Sequence, residues 1–241
     1  MKKNFLTNPA FRYIFEVFII VFSVTISFYI QDELNERDKM KLKNESLKGV
    51  MIDLDKDKDF YNAALKSIYY RLNSSDRLIE KGIDSSVLNS FLSYWGFVGH
   101  DASLKSLIAT GAIEYISDKN LIEELTKYYE NQYSVLSDTA ENEEKLYWEI
   151  MTYLKVNYRF GKMMKSDKTY IKNWFTGKGG EKGHPLHMKF DDILLSKLNK
   201  DQYFVNHAHQ LKRLDGLHAA FYEQALIEVE NLKVLIKNEL N

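Results

Sequence analysis

The chain has 241 residues, 28% of them charged and balanced to a formal net charge of −1, with 14% aromatics and no cysteine. The balance leaves no electrostatic footprint for nucleic acid, and the missing thiols exclude disulfides, cysteine nucleophiles and thiolate metal sites. The length supports one domain, or two, with a real hydrophobic core, and the aromatic content excludes a disordered tether.

Residues 1–12 form a short basic tail carrying Lys2, Lys3 and Arg12 without an acid. Residues 13–30 follow as YIFEVFIIVFSVTISFYI, in which twelve of eighteen side chains are Ile, Val or Phe. As a helix this run spans roughly 27 Å, enough for a hydrocarbon core of about 30 Å. Its apolar residues contribute about −4 to −7 kcal/mol toward insertion, and Glu16 opposes that by at most about +3. The run has no polar face, and no small-x-small cleavage site follows it, so an uncleaved transmembrane helix is expected. An acid inside a span is a functional hint. Glu16 snorkels to water or, with Ser23, Thr25 and Ser27, lines a contact with a second copy or another membrane protein. Beyond the span Asp32 and Glu33 are the charges nearest the membrane, which places the N-terminus in the cytoplasm and the bulk of the chain outside.

From Gln31 to Gly82 the sequence reads as one long amphipathic helix with Leu47, Met51, Leu54, Tyr61, Leu65, Ile68, Leu72 and Ile79 as its apolar stripe. Gly49 is a tolerated weak point. The run Asp53-Leu54-Asp55-Lys56-Asp57-Lys58-Asp59 lacks the glycine turn and closing glutamate of a calcium loop and is expected to be a solvated face. Gly82 caps the helix, and Asp84 or Ser85 starts a short aromatic one over 87–97. There Phe91, Tyr94, Trp95 and Phe97 are the candidate partner patch, against the plainer reading that they fill the core. Leu104 to Ile108 is a short apolar piece ended at Thr110-Gly111. A cap at Ser117 or Asp118 then opens a helix from Asn120 to about Tyr158.

Residues 161–189 form an irregular basic loop with seven lysines and five glycines. Gly177-Lys178-Gly179-Gly180 lacks P-loop spacing, the Ser or Thr after Gly-Lys and a preceding strand, so no nucleotide site is expected. A last helix runs from about Asp201 to Leu240. His207 and His218 share a face about 16 Å apart, too far for one metal, and are expected to be partly buried along the stripe. No sustained period-two alternation occurs. The expected fold is all-α: a single N-terminal transmembrane helix followed by an antiparallel helical bundle over 31–241. No catalytic residue, metal ligand or cofactor is expected.

The segment Asp101-Ala102-Ser103-Leu104-Lys105-Ser106-Leu107-Ile108-Ala109-Thr110-Gly111, continuing to Tyr128-Tyr129, resembles the core of a bacterial family labelled domain of unknown function 6090. Glu16-Val17-Phe18-Ile19-Ile20-Val21 is similar to the start of that family's span, and Leu34-Asn35-Glu36-Arg37 to its exit. The final residues Val234 to Leu240 are similar to its closing helix. The chain departs from the pattern at Phe15, Leu34 and Ala102. The resemblance implies a protein of the bacterial cytoplasmic membrane, N-terminus inside, with a helical outer domain and no assigned activity. The function expected is therefore non-enzymatic: an anchored domain that mediates assembly or partner binding, as a homo-oligomer or with another membrane protein. The alternative is a small-molecule sensor module of the helical-bundle type.

Overall fold

A computed structural model of the chain describes residues 9–94, 96–158, 162–163 and 188–241. The fold is helical. Helix α1 spans Pro9–Lys81, α2 Ser85–Phe91, α3 Ala102–Ala109, α4 Lys119–Thr126, α5 Tyr133–Asn157, α6 Asp192–Leu198 and α7 Gln202–Leu240. A one-turn 3₁₀ segment, Ala112–Tyr115, precedes α4, and a π-helical segment, Lys127–Gln132, joins α4 to α5. The only extended pairing among the described residues is a two-residue antiparallel ladder, Lys162–Met163 with Met188–Lys189. It closes the base of the irregular loop, whose residues 161 and 164–187 lie outside the described set.

The expected long helix and the expected span are one element: α1 continues without a break for 73 residues, about 110 Å at 1.5 Å per residue. Its described side chains through Asp38 are all exposed, and it is the one helix among the described residues long and apolar enough to cross a membrane. Residues 31–38 form a polar stalk held by local pairs, Gln31 to Asn35 at 3.2 Å and Arg37 to Glu33 at 2.6 Å, before Lys39 makes the first contact with the rest of the fold. Burial begins at Lys43, whose ammonium meets Glu239 at 2.8 Å with both side chains 4% exposed. Glu239 also accepts the backbone N–H groups of Ser117 and Asp118, tying together α1, the last turn of α7 and the start of α4.

From there the chain makes four runs of alternating direction. After Gly82, which takes a left-handed φ of 84°, α2 and α3 return down the side of α1. That return is fixed by Tyr70 with Ser86, Asp57 with His100, Asp53 with Ser103 and Lys39 with the Thr110 carbonyl. Gly49 is where α3 crosses closest. A Cβ there would lie 2.7 Å from Ser103 Oγ, so the sequence-level weak point is a contact. Helix α5 rises beside α1, and α7 descends antiparallel to both. Lys58 with Glu230, Arg71 with Asp215 and Lys212 with Asp76 run in opposite residue order along α1 and α7.

Burial follows a strict three-four spacing. On α1 residues Leu47, Val50, Leu54, Asp57, Tyr61, Ala64, Ile68, Arg71, Ser75 and Leu78 are buried. On α7 the matching row is Phe204, Ala208, Leu211, Asp215, His218, Tyr222, Ala225, Val229, Leu232 and Ile236, with His207 and Ala219 buried beside it. This is a heptad seam. Met51, Leu72 and Ile79, placed on the stripe from sequence, lie at its edge or outside it, and Ile79 is exposed. The short aromatic helix also ends earlier than its expected limit at Phe97, at Phe91, because Leu92 caps it. Helix α6, not anticipated from sequence, starts at an Asp191 cap that accepts the Leu194 N–H.

Candidate functional site

The seam carries apolar residues except in two places, and both are buried polar clusters. The hydrophobic core is divided in two. One part, around Leu54, Leu125 and Val229, lies at the end nearer the apolar start of α1. The other, around Leu88, Ile150 and Phe204, lies at the far end. Between them every run contributes polar groups to one layer: Arg71, Ser74 and Ser75 from α1, Ser90 from α2, Thr139 and Glu143 from α5, Asp215 and His218 from α7.

Arg71 is the hub, wholly buried. Its Nε and Nη2 grip Asp215 at 2.6–3.2 Å, while Nη1 reaches Glu143 at 2.7 Å and the Ser93 carbonyl at 3.3 Å. The planar fork engages two carboxylates on two different helices, which a lysine ammonium does not reproduce. His218 Nδ1–H donates to the other Glu143 oxygen at 3.0 Å and its ring stacks on Tyr222, centroids 4.6 Å apart. Burial works against the charge on Arg71, but Glu143 and Asp215 overcome it and hold the guanidinium above its ordinary pKa. Burial pushes the Asp215 carboxyl up despite Arg71. One cation faces two carboxylates here, so a proton on Asp215 brings the layer to neutrality. His218 Nε2 and the Tyr222 hydroxyl are buried with no hydrogen-bond partner among the described residues.

The second cluster surrounds Asp57, whose side chain is fully buried. Its Oδ2 accepts the hydroxyls of Tyr128 and Tyr133, and its Oδ1 accepts the His100 backbone N–H at 3.1 Å and Nδ1–H at 2.8 Å. Tyr128 gives its only proton to Asp57, so Tyr61 donates to Tyr128 across 2.9 Å. Burial raises the Asp57 pKa, and the tyrosines and His100 oppose that rise. The solvated face expected over Asp53–Asp59 holds at Asp55, Lys56 and Asp59, which are exposed, and is corrected at Asp53 and Asp57. Asp53 and Asp57 point inward because the loop before α3 closes over them, and Asp53 accepts the Ser103 N–H. The expected setting of the histidines fits His207 and His218, which are 6% and 0% exposed.

In the first cluster the side chains of Arg71, Glu143, Asp215 and His218 are at most 1% exposed, whereas in the second His100 reaches the surface, 31% exposed. No group of three or more His, Asp or Glu side chains suited to a metal ion occurs among the described residues. What the layer does is fix register. A polar group on the seam of each of three helices finds a partner at one axial alignment only, and a shift of one turn strands buried charge.

The residues singled out from sequence are distributed as follows. Glu16, Ser23 and Ser27 share one face of α1, within about 40° of each other at 100° per residue, whereas Thr25 lies opposite. Ser27 and Thr25 turn their hydroxyls onto the carbonyls of Ser23 and Val21. The aromatic patch is not one surface. Phe91 is buried against Phe204, Phe97 packs edge-on to Phe60 and Tyr133, and half-buried Tyr94 leans on Tyr147. Trp95 lies outside the described residues. No protein-family description, curated protein or solved structure matches the chain.

Proposed function

We propose that this is a non-enzymatic, single-pass membrane protein of the bacterial cytoplasmic membrane, its antiparallel helical bundle held outside on a rigid stalk to mediate assembly or partner binding. One observation carries the reading. A single unbroken helix is apolar and exposed on all sides at its start, polar and self-paired through residues 31–38, and the central strut of the folded domain thereafter. A soluble helix does not leave bare a run of eighteen residues of which twelve are Ile, Val or Phe, and an anchor alone does not need a strut continuous with it. The resemblance to domain of unknown function 6090 agrees with this layout and with the N-terminus inside.

Light scattering of the full chain in detergent, compared with residues 31–241, tests the assembly part. Self-association that requires the span and is lost in Glu16→Leu supports contact through the Glu16–Ser23–Ser27 face. Monomers in both cases refute it. A second reading, a ligand-sensing module, draws on the polar layer, which ties α1, and hence the span, to α5 and α7. A thermal-shift screen against metabolites tests that reading, and a flat response removes it.

A further inference from the structure

At the far end of the domain, α5 and the start of α7 border a groove of about 1020 Å³, open along one side. Its walls carry three aromatic rings, Trp148, Tyr153 and Tyr203, and three carboxylates, Glu141, Glu144 and Glu149. The rings are set in place: Tyr153 stacks on Tyr203 with centroids 4.2 Å apart, and Trp148 donates its indole N–H to Glu144 at 3.1 Å. They are also presented to solvent, Trp148 being 49% and Tyr203 46% exposed, where a soluble surface normally keeps such rings covered. One of them already holds a cation, since Lys155 Nζ sits 5.7 Å from the Trp148 ring centroid. Against the three acids only Lys145 contributes a positive charge to the lining.

We propose that this groove binds a lysine- or arginine-bearing segment of a partner protein. Aromatic faces beside carboxylates attract ammonium and guanidinium groups through the ring quadrupole and the net negative charge together. The groove is too open to enclose a small molecule, which needs most of its surface buried. From Glu141 to Thr152 the α5 wall runs about 16 Å, the length of a short peptide segment. Lipid of the same membrane is out of reach. The groove starts level with Arg71, which pairs with Glu143, and extends away from the apolar run, whose end lies about 60 Å back along α1. The proposal rests on the partner-binding reading above and names the partner's chemistry.

The test is fluorescence anisotropy of a labelled (Lys-Gly)₄ peptide with the full chain in a non-ionic detergent. The same peptide carrying acetyl-lysine or trimethyl-lysine supplies the other two arms. The lysine and trimethyl-lysine peptides are expected to bind saturably, and the acetyl-lysine peptide, which has lost its charge, to fail. Trp148→Leu is expected to weaken binding about fivefold. Lys155→Met removes the internal competitor from an exposed position and is expected to strengthen it. Equal binding of the acetyl-lysine peptide, indifference to both substitutions, or no binding of any peptide overturns the assignment. Assembly through the span is read by light scattering and stands or falls separately.

Discussion

Arg71→Met isolates the polar layer. Methionine fits the volume of the arginine stem and keeps the heptad seam, but it removes the cation that bridges Glu143 and Asp215. Both carboxylates and the arginine are at most 1% exposed at the side chain, so solvent does not screen the loss. Breaking a buried pair by removing one partner costs about 3–5 kcal/mol, mostly the penalty of the stranded charge. For a domain of this size that corresponds to a fall in Tm of roughly 6–20 °C. Thermal unfolding of the full chain in detergent, followed by circular dichroism at pH 7, measures it. The triple variant Arg71→Met, Glu143→Gln, Asp215→Asn removes the charges along with their partner and is expected to recover part of the loss. A single variant that melts within about 2 °C of the natural chain would refute the claim that Arg71 holds the layer together.

Three further outcomes follow from the same geometry. Burial lowers the His207 pKa below its ordinary 6.5. The folded state therefore prefers the neutral ring, and this contribution to stability is present above pH 6.5 and is lost as pH falls through the folded-state value. Denaturant titrations of natural and His207→Gln chains between pH 7.5 and 5.5 should show the natural chain losing more stability on acidification; parallel curves contradict this. Asp57→Ala leaves the hydroxyls of Tyr128 and Tyr133 and the His100 ring N–H without the carboxylate that accepts them, while the His100 backbone N–H keeps the Tyr133 hydroxyl at 2.9 Å, and is expected to cost about 2–4 kcal/mol in urea unfolding. Lys43→Met removes the cation from Glu239, whose carboxyl is held low by Lys43 and two backbone donors against the opposing effect of burial. Faster amide exchange in the last two turns of α7, with the far core unchanged, is expected.

Much of the architecture was legible from spacing alone. The apolar run at 13–30, the long helix through residue 81, the caps at Asp84 and Asp118, and the closing helix from Asp201 all stand where pattern and capping residues put them. The polar sites were not, and the reason is specific. Asp57, Arg71, Glu143, Asp215 and His218 are residue types assigned to solvent by default. A stripe built only from Leu, Ile and Tyr therefore steps over them and drifts off the seam, taking in Met51 and Ile79. A usable signal was present nonetheless: Leu54, Tyr61, Ala64 and Ile68 fall on a strict three-four spacing that also predicts burial at 57 and 71. The partners of those positions come from helices up to 144 residues away in sequence, which no local pattern encodes. For the aromatic residues from Phe91 to Phe97 the plainer reading, core filling, fits Phe91 and Phe97. Phe91 and Phe97 share a short stretch of chain, but the turn after Leu92 sends their rings into different parts of the core.

The central claim is that one rigid helix leaves the bilayer and becomes the strut of the domain. The natural chain lacks cysteine, so nitroxides at Phe28→Cys and Lys66→Cys are unique labels. Electron–electron distance measurement on carbonate-washed membranes is expected to give one narrow peak near 57 Å at 1.5 Å rise per residue. A broad or shorter distribution, or loss of the residue 28 label from the membrane-bound protein, contradicts it.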